Sequence, residues 1–224
     1  LSIEDKFGIF EVGMNKSGEI RNLTKLIKPH IGVITNIGEA HLENFKNIKG
    51  IAKAKAEIME NINPGGTIIL NRDNKFFNYL SKKAKLYKLN ISTFGKEKKS
   101  DVLLKKIINK NGYSKVYIEV DKRKINFKIR DLNIYNVLAT ISVLKELKIN
   151  FFTLLNKFKS LESSEGRGKK HSVFRYKKKF KLIDESYNAN PLSVKNAIEK
   201  LILIKKKKFK KYLILGDMLE LGSK

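Results

Sequence analysis

The chain has no cysteine, which excludes a disulfide framework and any thiolate metal site. That composition fits a reducing compartment. Long apolar runs are missing too: nothing approaches the roughly 18 consecutive apolar residues of a membrane-spanning helix. Glu4, Asp5 and Lys6 interrupt the start, where a signal peptide would carry its apolar stretch. Acidic residues are scarce, 22 against 48 basic ones, giving a formal net charge of +26. Such a balance invites a nucleic-acid reading. Only six of the basic residues are arginine, however, and the lysines are spread along the whole length. The runs at 177–179 and 205–208 lack the interleaved aromatic platforms and glycines of RNA-binding modules. A solvated basic surface that helps attract anionic nucleotides is the simpler expectation, with no specific nucleic-acid partner. Also absent is Gly-x-x-Gly-Lys-Thr/Ser, the loop whose backbone cradles β- and γ-phosphates.

What is present can fold. With 224 residues, 42% of them hydrophobic, the chain can build one large or two modest domains. Phe7–Glu11 reads as a buried strand ending in a carboxylate. Residues 18–28 read as a helix, closed by Pro29-His30 before a strand over Ile31–Thr35. Ile48, Ile51, Ala52, Met59 and Ile62 recur at helical spacing, and Asn63–Gly66 forces a turn into the strand Thr67–Leu70. Alternating strand and helix predict an α/β fold with a doubly wound, mostly parallel sheet. Val116, Ile118 and Val120 alternate against Ile125, Phe127 and Ile129, predicting an antiparallel hairpin of about two strands. Asn133 caps a helix with an apolar face of Ile134, Val137, Leu138, Ile141 and Leu144. The polar stretch 162–170 is the expected domain boundary. Beyond it come a strand (Phe180–Ile183), a helix from about Leu192 to Lys205 and a strand (Tyr212–Leu215).

Several residues could carry chemistry, each with a plainer alternative. Glu11, at a strand end, can offer one oxygen ligand to Mg²⁺, which keeps most of its waters; it can equally be a surface glutamate. His41 follows a short loop after the second strand and could be a metal ligand or a structural histidine, whereas His30 and His171 read as incidental. Lys55, taken alone, is an ordinary helix-surface lysine, and Lys53 points off another face. Asn133 and Asn136 lie one turn apart, and a carboxamide that donates and accepts suits an adenine edge; Asn133 could also be only an N-cap. Arg167, between Gly166 and Gly168, can grip phosphate with its planar fork or sit in a flexible linker. The strings Asp184–Pro191 and Gly216–Gly222 could separately be an Asx-rich turn and a strand-end loop.

Taken in order, Glu11-Val-Gly-Met-Asn15-Lys-Ser-Gly18-Glu19-Ile, Thr35-Asn36 with Ala40-His41-Leu42-Glu43, and Ala54-Lys55-Ala-Glu57 resemble the central domain of the Mur ligases. These are ATP-dependent amide-forming enzymes of peptidoglycan assembly. Asp184-Glu185-Ser186-Tyr187-Asn188-Ala189-Asn190-Pro191 and the Gly216–Gly222 string resemble the branch that adds D-alanyl-D-alanine. The resemblance implies ATP and two Mg²⁺ ions held by Glu11, His41 and a CO₂-derived carbamate on Lys55. It implies nucleotide contacts from Asn133, Asn136, Arg167, Asp184 and Glu185, with Lys55, His41 and Arg167 in catalytic roles. Asn15, Thr35, Asn36, Tyr187, Asn188 and Asn190 would face UDP-MurNAc-tripeptide and D-alanyl-D-alanine. Residues 1–168 would be the ATP-binding central domain, with a small antiparallel sheet beside the parallel one, and 169–224 the start of a Rossmann-like C-terminal domain. A cytoplasmic monomer is expected. Two departures stand out: Arg130-Asp131-Leu132 replaces the usual Gly-Arg/Lys-His, and Glu185 replaces an aspartate. The missing phosphate loop would lie upstream of Leu1, so the chain is expected to be a fragment without activity of its own. The alternatives are a sibling ligase, one adding glutamate to folate, or a non-catalytic basic nucleic-acid-binding protein.

Overall fold

A computed structural model describes residues 2, 4–38, 42–110, 112–130, 132–204 and 210–218. The first helix, α1 (Glu19–Ile27), starts at Gly18, whose φ of 92° is a conformation that favours glycine. Gly18 offers no capping side chain. The cap comes from elsewhere: the Glu57 carboxylate accepts from Gly18 N (2.8 Å), Ser17 Oγ (2.8 Å) and Arg21 N (3.3 Å). A carboxylate there both fills the unpaired donors and opposes the positive end of the helix. Lys28 takes up a left-handed conformation and turns the chain into β1 (Ile31–Ile34).

Helix α2 (Ile48–Ala56) is capped by Asn47 Oδ1, which accepts from Gly50 N, and runs into a 3₁₀ turn over Glu57–Asn61. Strand β2 (Thr67–Asn71) is buried throughout, as a central parallel strand must be when helices cover both faces. Then come α3 (Phe77–Leu86), β3 (Asn90–Gly95), β4 (Val102–Lys110), β5 (Tyr113–Val120), β6 (Arg123–Ile129) and α4 (Ile134–Glu146). The six strands form one sheet in sequence order. Neighbours from β1 to β4 are parallel, and those from β4 to β6 antiparallel.

The sheet has a core on each side. Ile68 and Leu70 point into one, with Ile20, Ile51 and Leu80 from α1, α2 and α3. Ile69, between them, points into the other, with Leu138 and Ile141 of α4 and Phe158 of the 3₁₀ segment Phe151–Lys159. This is the doubly wound α/β arrangement expected. The anticipated hairpin is there as β5 and β6, and β4 joins it to the parallel half. Beyond the sheet, β7 (Lys169–Arg175) and β8 (Lys178–Asp184) make a separate antiparallel pair, followed by α5 (Pro191–Leu203).

Three local expectations are corrected. Phe7–Glu11 is not a strand: it has no ladder partner among the described residues, and Ile9 is 96% exposed. Apolar character alone does not make a strand; backbone groups need a neighbour to bond to, and among the described residues β1, at the sheet edge, pairs only with β2. Tyr212–Leu215 is likewise irregular and exposed. The strand expected at Phe180–Ile183 exists within β8, but it pairs antiparallel with β7 rather than opening a parallel β-α-β unit.

Candidate functional site

The parallel strands end together, and the loops leaving them are stapled to one another. After β1, Thr35 O accepts from Asn71 Nδ2 (3.3 Å) and Asn36 Oδ1 from Asn74 Nδ2 (2.6 Å). Ile37 O accepts a second bond from the same Asn74 amide (3.1 Å). Lys55, on the inner side of α2, extends its ammonium to Asn36 O at 3.3 Å. Burial lowers the Lys55 pKa from its ordinary 10.5, and no carboxylate among the described residues offsets that effect. Carbamate formation needs the neutral amine, the form that burial favours. The residue therefore fits a carbamate, and Lys53, two positions away and exposed, lacks that environment.

Asp73, just past β2, organises the next loop. Its carboxylate accepts from Lys96 N (2.7 Å), Glu97 N (2.9 Å) and the Tyr135 hydroxyl (2.9 Å). Burial and the Asp73 hydrogen bond push the Tyr135 phenol up to about 12. One carboxylate thus ties the ends of β2 and β3 to the first turn of α4. Asn133 caps that turn, its Oδ1 accepting from Tyr135 N (2.9 Å), which leaves the Nδ2 donors available. Asn136 is exposed one turn on.

A second cluster joins residues far apart in sequence. Gly168 N donates to Asp184 O (2.7 Å), Gly166 N to the Asp184 carboxylate (3.1 Å), and Tyr187 N to Gly166 O (3.1 Å). A Cβ on Gly166 would stand 2.7 Å from the Tyr187 backbone, so only glycine permits this approach. The arrangement sets the Arg167 guanidinium over the Tyr187 ring at 4.2 Å. Hydrogen bonds from the Ser186 hydroxyl and N–H, then from Gly166 N–H, hold the Asp184 carboxyl below its usual range. Glu185 lies beside Gly168, where an added Cβ would be 3.1 Å from its Oε1. Asn190 is spent on α5: its Oδ1 accepts from Ser193 N (2.9 Å) while Ser193 Oγ accepts from Asn190 N (3.0 Å). Asn188 is exposed. Leu192, in the first turn of α5, lies against Gly38 beyond Asn36, 3.5 Å from where a Cβ would stand. Gly38 and Leu192, each a few residues from its own cluster, thus stand side by side.

A family model described as the Mur ligase middle domain matches residues 2–144. The chain belongs to that family. Among curated relatives of this Mur ligase chain is the UDP-N-acetylmuramoyl-tripeptide–D-alanyl-D-alanine ligase of Rickettsia prowazekii. The two are 34% identical over 98% of this chain and 48% of that protein. Among solved structures, MurF from Acinetobacter baumannii superposes with a TM-score of 0.88 at 27% identity, over 99% of this chain and 47% of that one. MurF from Thermotoga maritima, in complex with ADP, gives 0.74 at 28% identity, over 92% of this chain and 46% of that one. The Mur ligase chain thus spans about half the length of the curated relatives it matches.

Not every expected site residue joins these clusters. Glu11 lies in the irregular segment before α1, exposed and without a protein partner among the described residues. His41 lies outside the described residues, as do Asp131 and the end of the Gly216–Gly222 string. Asn15 is exposed; its backbone N–H, with that of Lys16, donates to the Glu19 carboxylate and holds it below its usual range. Sequence reading missed Asp73, Tyr135 and the capping role of Glu57. Glu57 sat in plain view two residues after Lys55, but its partners on α1 are long-range and leave no local pattern.

Proposed function

We propose that the chain is part of an ATP-dependent amide ligase that joins D-alanyl-D-alanine to UDP-MurNAc-tripeptide. The observation that carries this reading is the likeness, along nearly the whole chain, to relatives of that name. Residues 1–168 form the ATP-binding central portion and 169–224 the start of the C-terminal domain. In this reading the protein works in the cytoplasm as a monomer.

Each residue group has a task. Asn136 and the free Nδ2 of Asn133 reach the adenine edge, on a turn fixed by Tyr135 and Asp73. Asp184 and Glu185 take the ribose, and Arg167, backed by Tyr187, grips the phosphates with its planar fork. Two magnesium ions, when bound, neutralise charge on the transferred phosphoryl group; Glu11, His41 and Lys55 as its carbamate would hold them. Asn15, Thr35, Asn36, Tyr187, Asn188 and Asn190 line the path of the tripeptide and the incoming dipeptide. The tripeptide carboxylate attacks the γ-phosphorus of ATP, ADP leaves, and the D-alanyl-D-alanine amine then displaces phosphate from the acyl carbon. Catalysis is positioning and electrostatic stabilisation, with no covalent enzyme intermediate.

The test is phosphate release by the whole protein carrying this chain. Release should require both UDP-MurNAc-tripeptide and D-alanyl-D-alanine and should be lost in Lys55→Ala but kept in Lys53→Ala. Release that ignores either substrate would refute the reading.

A further inference from the structure

Three helical stripes face one another on the outer side of the α1–α3 layer. Ser17 and Arg21 come from the start of α1, and Lys53, Ala56 and Glu60 from α2 and its 3₁₀ extension. Along α3, Tyr79, Lys83 and Tyr87 recur at four-residue steps, which places them on one face. Seams between packed helices are normally filled by apolar side chains. Here Ala56 is the one aliphatic side chain in the lining, and a cleft of about 400 Å³ stays open. That volume lies in the range of small-molecule sites.

The charge in the cleft is unevenly matched. Glu57 is consumed by the N-terminus of α1 and by Ser17. Glu60 is consumed by the Arg21 fork, with Arg21 Nη2 3.0 Å from Oε1. Lys53 and Lys83, on facing helices, have no carboxylate partner among the described residues; the Lys83 ammonium stands 5.9 Å from the Tyr87 ring centre. Two lysines lining one cleft from facing helices, with Tyr79 and Tyr87 in the same lining, suit a ligand carrying two negative charges on clustered oxygens. The cleft is distinct from the site described above. Lys55 reaches Asn36 O on the inner side of α2, and Lys53, two residues earlier, projects about 200° around the same helix.

We propose that this cleft binds a small phosphate-bearing anion, held by Lys53 and Lys83 between the walls formed by Tyr79 and Tyr87. The inference does not rest on the ligase reading. It assigns Lys53 a role of its own, and it places a ligand on the helix that carries Lys55, where occupancy would stiffen α2 against α3.

Titration of the ¹⁵N-labelled chain with inorganic pyrophosphate at fixed ionic strength tests this. The expected result is saturable binding, with amide shifts at the start of α1 and along α2 and α3. The double variant Lys53→Ala/Lys83→Ala should bind about tenfold more weakly, the scale of losing charged hydrogen bonds. Lys82→Ala/Lys85→Ala removes the same charge from exposed positions outside the lining and should change affinity by less than about twofold. Acetate should bind more weakly than pyrophosphate. Equal weakening in both double variants, the pattern of diffuse attraction to a +26 chain, would overturn the proposal. So would acetate binding as tightly as pyrophosphate, shifts confined to Asn36 and Lys55, or no saturable binding. Circular dichroism on each variant establishes that the helices are intact.

Discussion

Single residues carry the sharpest consequences. Glu57 is 4% exposed and answers three donors at and just before the start of α1. Glu57→Ala leaves those donors unpaired and should cost about 2–4 kcal/mol in chemical denaturation; loss of under ~1 kcal/mol would show that the cap is dispensable. Lys55 gives a pH signature. Its folded pKa lies below 10.5, so the unfolded chain holds the extra proton between the two values, and stability contributed at this site rises with pH through that window. The penalty for burying the charged form is complete below the folded pKa. Lys55→Met should flatten that rise while Lys53→Met leaves it, read from unfolding midpoints across the alkaline range. Lys55 was legible as a candidate only through the string around it. No property of the residue alone separates it from Lys53, because what differs is burial, and burial is set by how α2 packs.

Elements were legible where periodicity was strong and the partners were near. Helices α1, α2, α4 and α5 fall near their expected bounds; for α2 and α4 the signal was apolar spacing, with a cap at Asn133, both written into neighbouring residues. Of the missed elements, α3, β4 and β7 carry lysines whose polar positions blur the pattern, and β3 is short, with Asn90, Ser92 and Thr93 interrupting its apolar residues. The failed strand at Phe7–Glu11 is the converse: the composition suits a strand, but pairing depends on a neighbour that sequence period does not reveal. At the first turn of α4, capping and ligand binding can be separated. Asn133→Ser keeps a side-chain oxygen for Tyr135 N and should leave the melting temperature nearly unchanged. In the whole protein the same change should raise the KM for ATP, because the carboxamide donors are gone. An unchanged KM would reduce Asn133 to a helix cap.

Across the whole molecule, the six-stranded sheet gathers the ends of β1, β2 and β3 at one edge, where α/β proteins place their ligands. Leu192, shortly after the Arg167–Tyr187 cluster in the chain, lies against Gly38 near that same edge. Fold class and the order of the strings were readable from sequence because each string is contiguous. Their convergence was not, because the segments that meet, 35–38, 71–74, 133–136 and 184–192, are separated by whole elements. The basic surface is likewise a property of the whole chain: 42 lysines against 22 acidic residues draw anions toward the molecule without selecting one. Selection falls to the built sites.

The most direct test follows an oxygen atom. The tripeptide carboxylate is labelled with ¹⁸O and turned over by the whole protein with ATP and D-alanyl-D-alanine. Transfer through an acyl phosphate moves one substrate oxygen to phosphorus, so inorganic phosphate should carry a single ¹⁸O and ADP none. Label appearing in AMP, or phosphate carrying no label at all, would contradict the proposed chemistry.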